Sequence, residues 1–137
     1  MTNQNKISLS CADIRLCDDG IMHIHLKIRN AFNLEYSKEI VAARTRLTRS
    51  VKRPMLYTTD VPLIFPGPGV VEYLVSEERT KWVLADAFVL NTLQQRLEAK
   101  LYTRLKKPTI PTAFFSGEIE ARKWLYQFLP SASSKSH

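Results

Sequence analysis

Glycine is scarce in this chain, with four in 137 residues. A phosphate-cradling Gly-rich loop therefore has little to work with, and no Gly-x-Ser-x-Gly, P-loop or His-Glu-x-x-His pattern occurs. Cysteine is scarcer still. Cys11 and Cys17 are too few and too close together for a disulfide framework, and they read as free thiols in a reducing compartment. No apolar run approaches the ~18 residues that a membrane helix needs. The opening Met-Thr-Asn-Gln-Asn-Lys-Ile-Ser lacks the apolar stretch of a signal peptide. The expectation is a soluble, cytoplasmic protein without a membrane span.

Acid is the minority charge, 13 residues against 20 Lys and Arg, for a net +7. The excess is uneven. Residues 38–53 carry +5 and residues 96–107 carry +4, leaving the remainder at −2. A basic surface of this kind meets nucleic acid, acidic lipid or an acidic partner, and charge alone does not choose among them. With 45% hydrophobic residues, the chain has material for one well-packed domain.

Residues 107–128 give the clearest local reading. Pro108 and Pro111 force an extended connector. Ile110, Ala113, Phe114 and Phe115 form a short apolar run expected to be a strand covered on both faces. Ser116 is the expected N-cap of a closing helix, with Glu118 and Glu120 in its first turn. Ile119, Trp124, Leu125 and Phe128 give that helix a face to bury.

Upstream, residues 1–6 read as a loose polar start and Ala12–Cys17 as a strand. Asp18-Asp19-Gly20 reads as a hairpin turn with Gly20 at positive φ. Residues 21–28 alternate, with Met22, Ile24, Leu26 and Ile28 on one side and His23, His25, Lys27 and Arg29 on the other, which predicts a half-buried strand. A helix is expected over 35–49, with Tyr36, Ile40, Ala43, Leu47 and, just beyond it, Val51 on one inward stripe and Arg44 and Arg46 snorkelling over the core edge. Pro54 precedes a short strand over 55–58. Residues 60–69 form a Pro-rich loop in which Val61, Leu63, Ile64 and Phe65 are unusually apolar. One helix is expected over 70–80, then a strand over 82–90 broken only by Asp86. Asn91 is the expected cap of a helix over 92–105, whose buried stripe would be Leu90, Leu93, Leu97, Leu101 and Leu105. Pro130–His137 reads as a Ser-rich tail.

Several of these segments carry a family resemblance. Lys107-Pro-Thr-Ile-Pro-Thr-Ala-Phe-Phe-Ser, followed by Ala121-Arg-Lys-Trp-Leu-Tyr-Gln-Phe, resembles the C-terminal end of small bacterial STAS-like (SpoIIAA-like) proteins. Asp19-Gly20, Ala42-Ala43-Arg44 and Arg53-Pro54 agree with it, so that it spans residues 12–128. The resemblance implies an α/β fold: a five-stranded mixed sheet with an N-terminal hairpin and about four helices. It lends a fold rather than an activity. The anti-sigma-factor antagonists of this fold carry a phosphorylatable Ser after an Asp. The corresponding stretch here, residues 60–70, has Asp60 but neither Ser nor Thr, so that switch is not carried over.

Four groups of residues are candidates for chemistry. His23 and His25 sit two apart on one strand face, a spacing that can reach a metal, but no third ligand has matching spacing and Lys27 and Arg29 share the face. Neither a metal nor a cofactor is expected. Asp86, in an apolar strand, needs a sheet edge or a cationic partner. Thr58, Thr59, Asp60, Asn91 and Ser116 fall at the carboxyl ends of strands, where α/β sheets collect ligands; Asn91 and Ser116 also serve as plain helix caps. Arg96, Lys100, Arg104 and Lys107 form a basic row, which reads as a solvated helix face before it reads as a phosphate-binding one.

The expected function is a non-enzymatic module that binds another protein or a second copy of itself, through Leu63, Ile64 and Phe65. The alternative is a small-molecule or lipid-binding domain with its pocket at the strand ends. An electrostatic nucleic-acid binder is weaker, and an enzyme is least supported.

Overall fold

The computed structural model describes residues 5–28, 33–60 and 68–129. Val61, Leu63, Ile64 and Phe65, and the Ser-rich tail, lie outside them.

The elements run β1 (Lys6–Ser8), β2 (Ala12–Leu16), β3 (Met22–Leu26), α1 (Leu34–Thr48), β4 (Arg53–Thr59), α2 (Pro68–Leu74), α3 (Glu77–Thr80), β5 (Val83–Val89), α4 (Leu93–Leu105), β6 (Thr112–Phe115) and α5 (Glu118–Tyr126). The six strands lie side by side in sequence order. β1, β2 and β3 pair antiparallel, and β3 to β6 pair parallel. The mixed α/β architecture is as expected, with six strands and five helices where five and about four were expected. The sixth strand comes from the polar start: Ile7 opposes Ile14, and backbone pairing to β2 orders it. The fifth helix arises because Ser76 caps a new helical start, accepting from the Arg79 amide, so that the expected helix over 70–80 divides in two.

The hairpin forms where the sequence places it. Gly20 has φ +96°, a region that side-chain-bearing residues rarely adopt, and the Asp19 carboxylate accepts from the Ile21 amide at 3.1 Å.

Alternation along each strand divides the sheet into two faces. Met22, Ile24, Leu26, Met55 and Tyr57 join Ile40, Ala43 and Leu47 of α1 in one core. Ile21, Leu56, Ala85, Ala87 and Val89 join Ala121 and Leu125 of α5 in the other. On the α5 face of β2 and β3 stand Asp13, Arg15, His23 and His25, all at least partly exposed.

Three expectations about packing are corrected. β6 is an edge strand paired only with β5, and its residues are all half-buried, because no strand lies beyond it. Trp124 is half-buried against Phe115 and Phe128 rather than enclosed, and Ile119 is 76% exposed. Arg44 does not snorkel but is 1% exposed.

The largest departure is in α4. Leu93, Leu97, Leu101 and Leu105 are 63%, 57%, 55% and 74% exposed, while Gln95 and Ala99 are the buried positions. At ~100° per residue, Leu97 and Leu101 sit nearly opposite Gln95 and Ala99. Periodicity identifies the apolar stripe but not which way it faces. Here the alanine side meets the core, and the leucines face outward.

Candidate functional site

A cavity of about 140 Å³ lies on the α1 face of the sheet, beneath α2 and α4. Its back wall is an in-register ladder of three aromatic rings on neighbouring parallel strands, Tyr57, Phe88 and Phe114. Tyr57 and Phe88 stack with centroids 4.7 Å apart, and Phe88 and Phe114 stack at 5.7 Å. Aliphatic side chains close the opposite side, Ile40 and Val41 from α1 and Val71 and Leu74 from α2. Ala99 and Tyr102 of α4 and the connector residues Lys106, Pro108 and Ile110 complete it.

Polar groups gather at one end. Arg79 donates from Nη1 to Asp86 Oδ2 at 2.6 Å, with both side chains at most 4% exposed. Arg79 Nη2 also donates to the Tyr57 hydroxyl oxygen at 3.1 Å, and Arg44 donates to that same oxygen and to the Arg79 carbonyl. The phenol oxygen thus accepts from two guanidinium groups. Burial pulls the Arg79 pKa down, but the Asp86 carboxylate and Tyr57 outweigh it and raise it above the ordinary value. Burial lowers that of Arg44, which makes no ion pair among the described residues. Asp86 Oδ1 and Ser37 Oγ are buried without a hydrogen-bond partner among the described residues. Arg79 and Asp86 line this end of the cavity and Arg44 stands behind Tyr57, so two guanidinium groups lie against one carboxylate, a net positive charge in a poorly solvated place.

The sequence flagged Asp86 as needing a sheet edge or a cationic partner, and Arg79 supplies the second. Arg79, Arg44, Tyr57 and Ser37 were missed. Only the unmet charge of Asp86 pointed toward any of them; Arg79 itself reads as part of a charged, solvated Glu-Glu-Arg-Thr turn.

The expected strand-end residues do not converge. Strand alternation puts Thr59 on the α1 face and Thr58 on the α5 face. Asn91 and Ser116 are exposed, and neither caps a helix: Thr92 accepts from the Gln95 amide at 3.1 Å, and Gly117 occupies the cap position of α5 without a side-chain bond. None of these residues lines the cavity, which lies over the sheet face rather than at the strand ends.

Thr58 and Asp60 instead join the two histidines. Thr58 Oγ1 lies 2.8 Å from His23 Nε2 and 2.8 Å from His25 Nδ1, and His25 Nε2 lies 3.1 Å from Asp60 Oδ2. With His25 donating to Asp60, its Nδ1 accepts the Thr58 proton, and His23 Nε2–H donates to Thr58. Burial holds the His23 pKa below its ordinary value. The chain can pass a proton inward from exposed Asp60, but Thr58 is only 8% exposed and its hydroxyl is shared between two imidazoles. Among the described residues no group of three or more His, Cys, Asp and Glu is placed to hold a metal.

The basic row is only partly free. Arg96 is half-buried and donates to the Leu90 carbonyl at 2.6 Å, tying the start of α4 to the end of β5, whereas Lys100, Arg104 and Lys107 are exposed. They flank the outward leucines of α4. Among the described residues no helix is long and apolar enough to cross a membrane.

The fold defines a mixed-sheet α/β domain with an apolar, aromatic-walled cavity and an exposed leucine face. A family described as a domain of unknown function (DUF7793) matches residues 15–129, and the chain belongs to that family. No curated protein and no solved structure matches it.

Proposed function

We propose that this protein is a non-enzymatic protein-interaction module of STAS-like architecture that pairs with a second copy of itself through the outward face of α4. The observation that carries this reading is the exposure of all four leucines of that helix, from 55% to 74%. A contiguous apolar patch of this kind marks a contact surface on a folded domain. Leu93, Leu97, Leu101 and Leu105 follow one another at i, i+4, i+8 and i+12 and form a single ridge along the helix. Two such ridges interdigitate when helices cross at about −50°, the commonest packing class. A two-fold axis then gives both copies the same contact. The hairpin followed by alternating helices and parallel strands supports the STAS-like assignment.

Sedimentation equilibrium tests the pairing. The wild-type protein is expected to be dimeric at micromolar concentration. Leu97→Glu with Leu101→Glu should be monomeric, with a melting temperature nearly unchanged, since both side chains already face solvent. Lys100→Glu with Arg104→Glu should leave the dimer intact. A wild-type monomer at about 100 μM, where even a weak micromolar dimer would be populated, would remove this reading. If the charge reversal abolishes a salt-sensitive association with nucleic acid, the electrostatic reading takes its place.

A further inference from the structure

The cavity beneath α4 is independent of the outward leucine face and has its own chemistry. We infer that it is a binding site for a compact aromatic carboxylate, with the ring against the Tyr57–Phe88–Phe114 ladder and the acid group near Lys106.

Size sets the first limit. At about 140 Å³ the cavity is close to the ~150 Å³ apolar cavity that takes up benzene. One ring with a short substituent therefore fits, and a long-chain lipid does not. Shape sets the second. Three rings in register on adjacent strands make a flat wall, and an incoming ring gains offset stacking on it. The remaining lining is mainly aliphatic, which suits a site that holds its ligand chiefly by apolar burial.

Charge sets the third. The charged side chains lining the cavity are Arg79, Asp86 and Lys106, and Arg44 stands behind Tyr57. Arg79 and Asp86 neutralise each other, which leaves Arg44 and Lys106. Lys106 is exposed and makes no ion pair among the described residues. The uncompensated charge around the cavity is therefore positive at both places, and low polarity strengthens the reach of buried Arg44, while Lys106 acts from the solvent-exposed edge. An apolar anion gains from that field, and an apolar cation is opposed by it.

Three ring compounds of similar shape separate these terms: benzoate, benzyl alcohol and benzylamine, titrated into the full-length protein and followed by amide chemical shifts. Benzoate is expected to bind tightest, about tenfold above benzyl alcohol, a gap of about 1.4 kcal/mol, with benzylamine weakest. The shifts should map to β4, β5, β6 and the 106–110 connector. Lys106 is exposed at the edge of the cavity, so the Lys106→Glu protein should fold normally. It should reduce benzoate binding several-fold and leave benzyl alcohol unchanged. Val71→Phe fills the cavity and should abolish binding of all three while retaining the melting temperature. No shifts with benzoate at about 10 mM, well above weak fragment affinities, would overturn the inference. So would equal binding of benzoate and benzylamine, insensitivity of benzoate to Lys106→Glu, or benzoate binding retained by a folded Val71→Phe protein.

Discussion

Asp86 is secured by a single partner. One of its oxygens receives the Arg79 guanidinium and the other has no partner among the described residues, in a strand flanked on both sides. Arg79→Leu removes that compensation and leaves a carboxylate at 2% exposure with neither oxygen partnered. The expected loss is about 3–5 kcal/mol in urea unfolding, and Arg79→Leu with Asp86→Leu should recover part of it. A single-variant loss under about 1 kcal/mol, typical of surface sites, would show that the pair is not structurally coupled. His23 sets a pH dependence of the opposite kind to a stabilised cation. Its folded pKa lies below 6.5 because burial opposes the charged form. The unfolded chain therefore takes up this proton first, so the contribution is complete above about 6.5 and is lost as pH falls toward the folded value. The urea midpoint should drop between pH 7.5 and 5.5, and His23→Gln should flatten that slope. A steeper slope in the variant would contradict the assignment. The carboxylate of Glu118, held low first by its hydrogen bond from Arg122, titrates well below this window.

At the level of elements, the caps of α4 and α5 are each displaced from the sequence reading by one residue. In α4 the choice lay between Asn91 and Thr92, both good caps by type. Thr92 has extended backbone and accepts from Gln95, because Leu90, whose amide donates to the Phe115 carbonyl, holds the chain in the sheet until just before it. Thr92→Ala should lower stability by about 1 kcal/mol and Asn91→Ala by only a few tenths. Equal effects in a thermal melt would place the cap at Asn91 after all. The same helix shows why an apolar stripe is an incomplete guide. Ala99 faces inward at 2% exposure and lines the cavity, while the leucines remain outside.

For the whole molecule, strand order and helix placement follow from the connections. β3 to β6 advance across the sheet in one direction, and right-handed crossovers then put the connecting helices on one face. α5, after the last strand, closes the other face over β4 to β6, where Ala85, Ala87 and Ala121 give it room. The cavity lies on the face with several helices, between α1, α2 and α4. The polar His23–Thr58–His25 chain lies on the face that a single helix covers in part.

The sequence by itself determined the mixed α/β class, the Gly20 hairpin, most of the inward faces of β3 and α1, and that Asp86 needs a sheet edge or a cation. Each of these rests on local chemistry: period-two alternation, helical spacing, a positive φ, or the cost of burying a charge. Tertiary structure alone decided the rest. Whether the α4 leucines or Ala99 meet the core depends on which side the crossover presents. Arg44 is buried because Tyr57 and the Arg79 carbonyl, far away in sequence, accept its protons. The aromatic wall exists because register aligns three separate strands. A pattern along one segment records what that segment can bury; only the assembled sheet selects its neighbours.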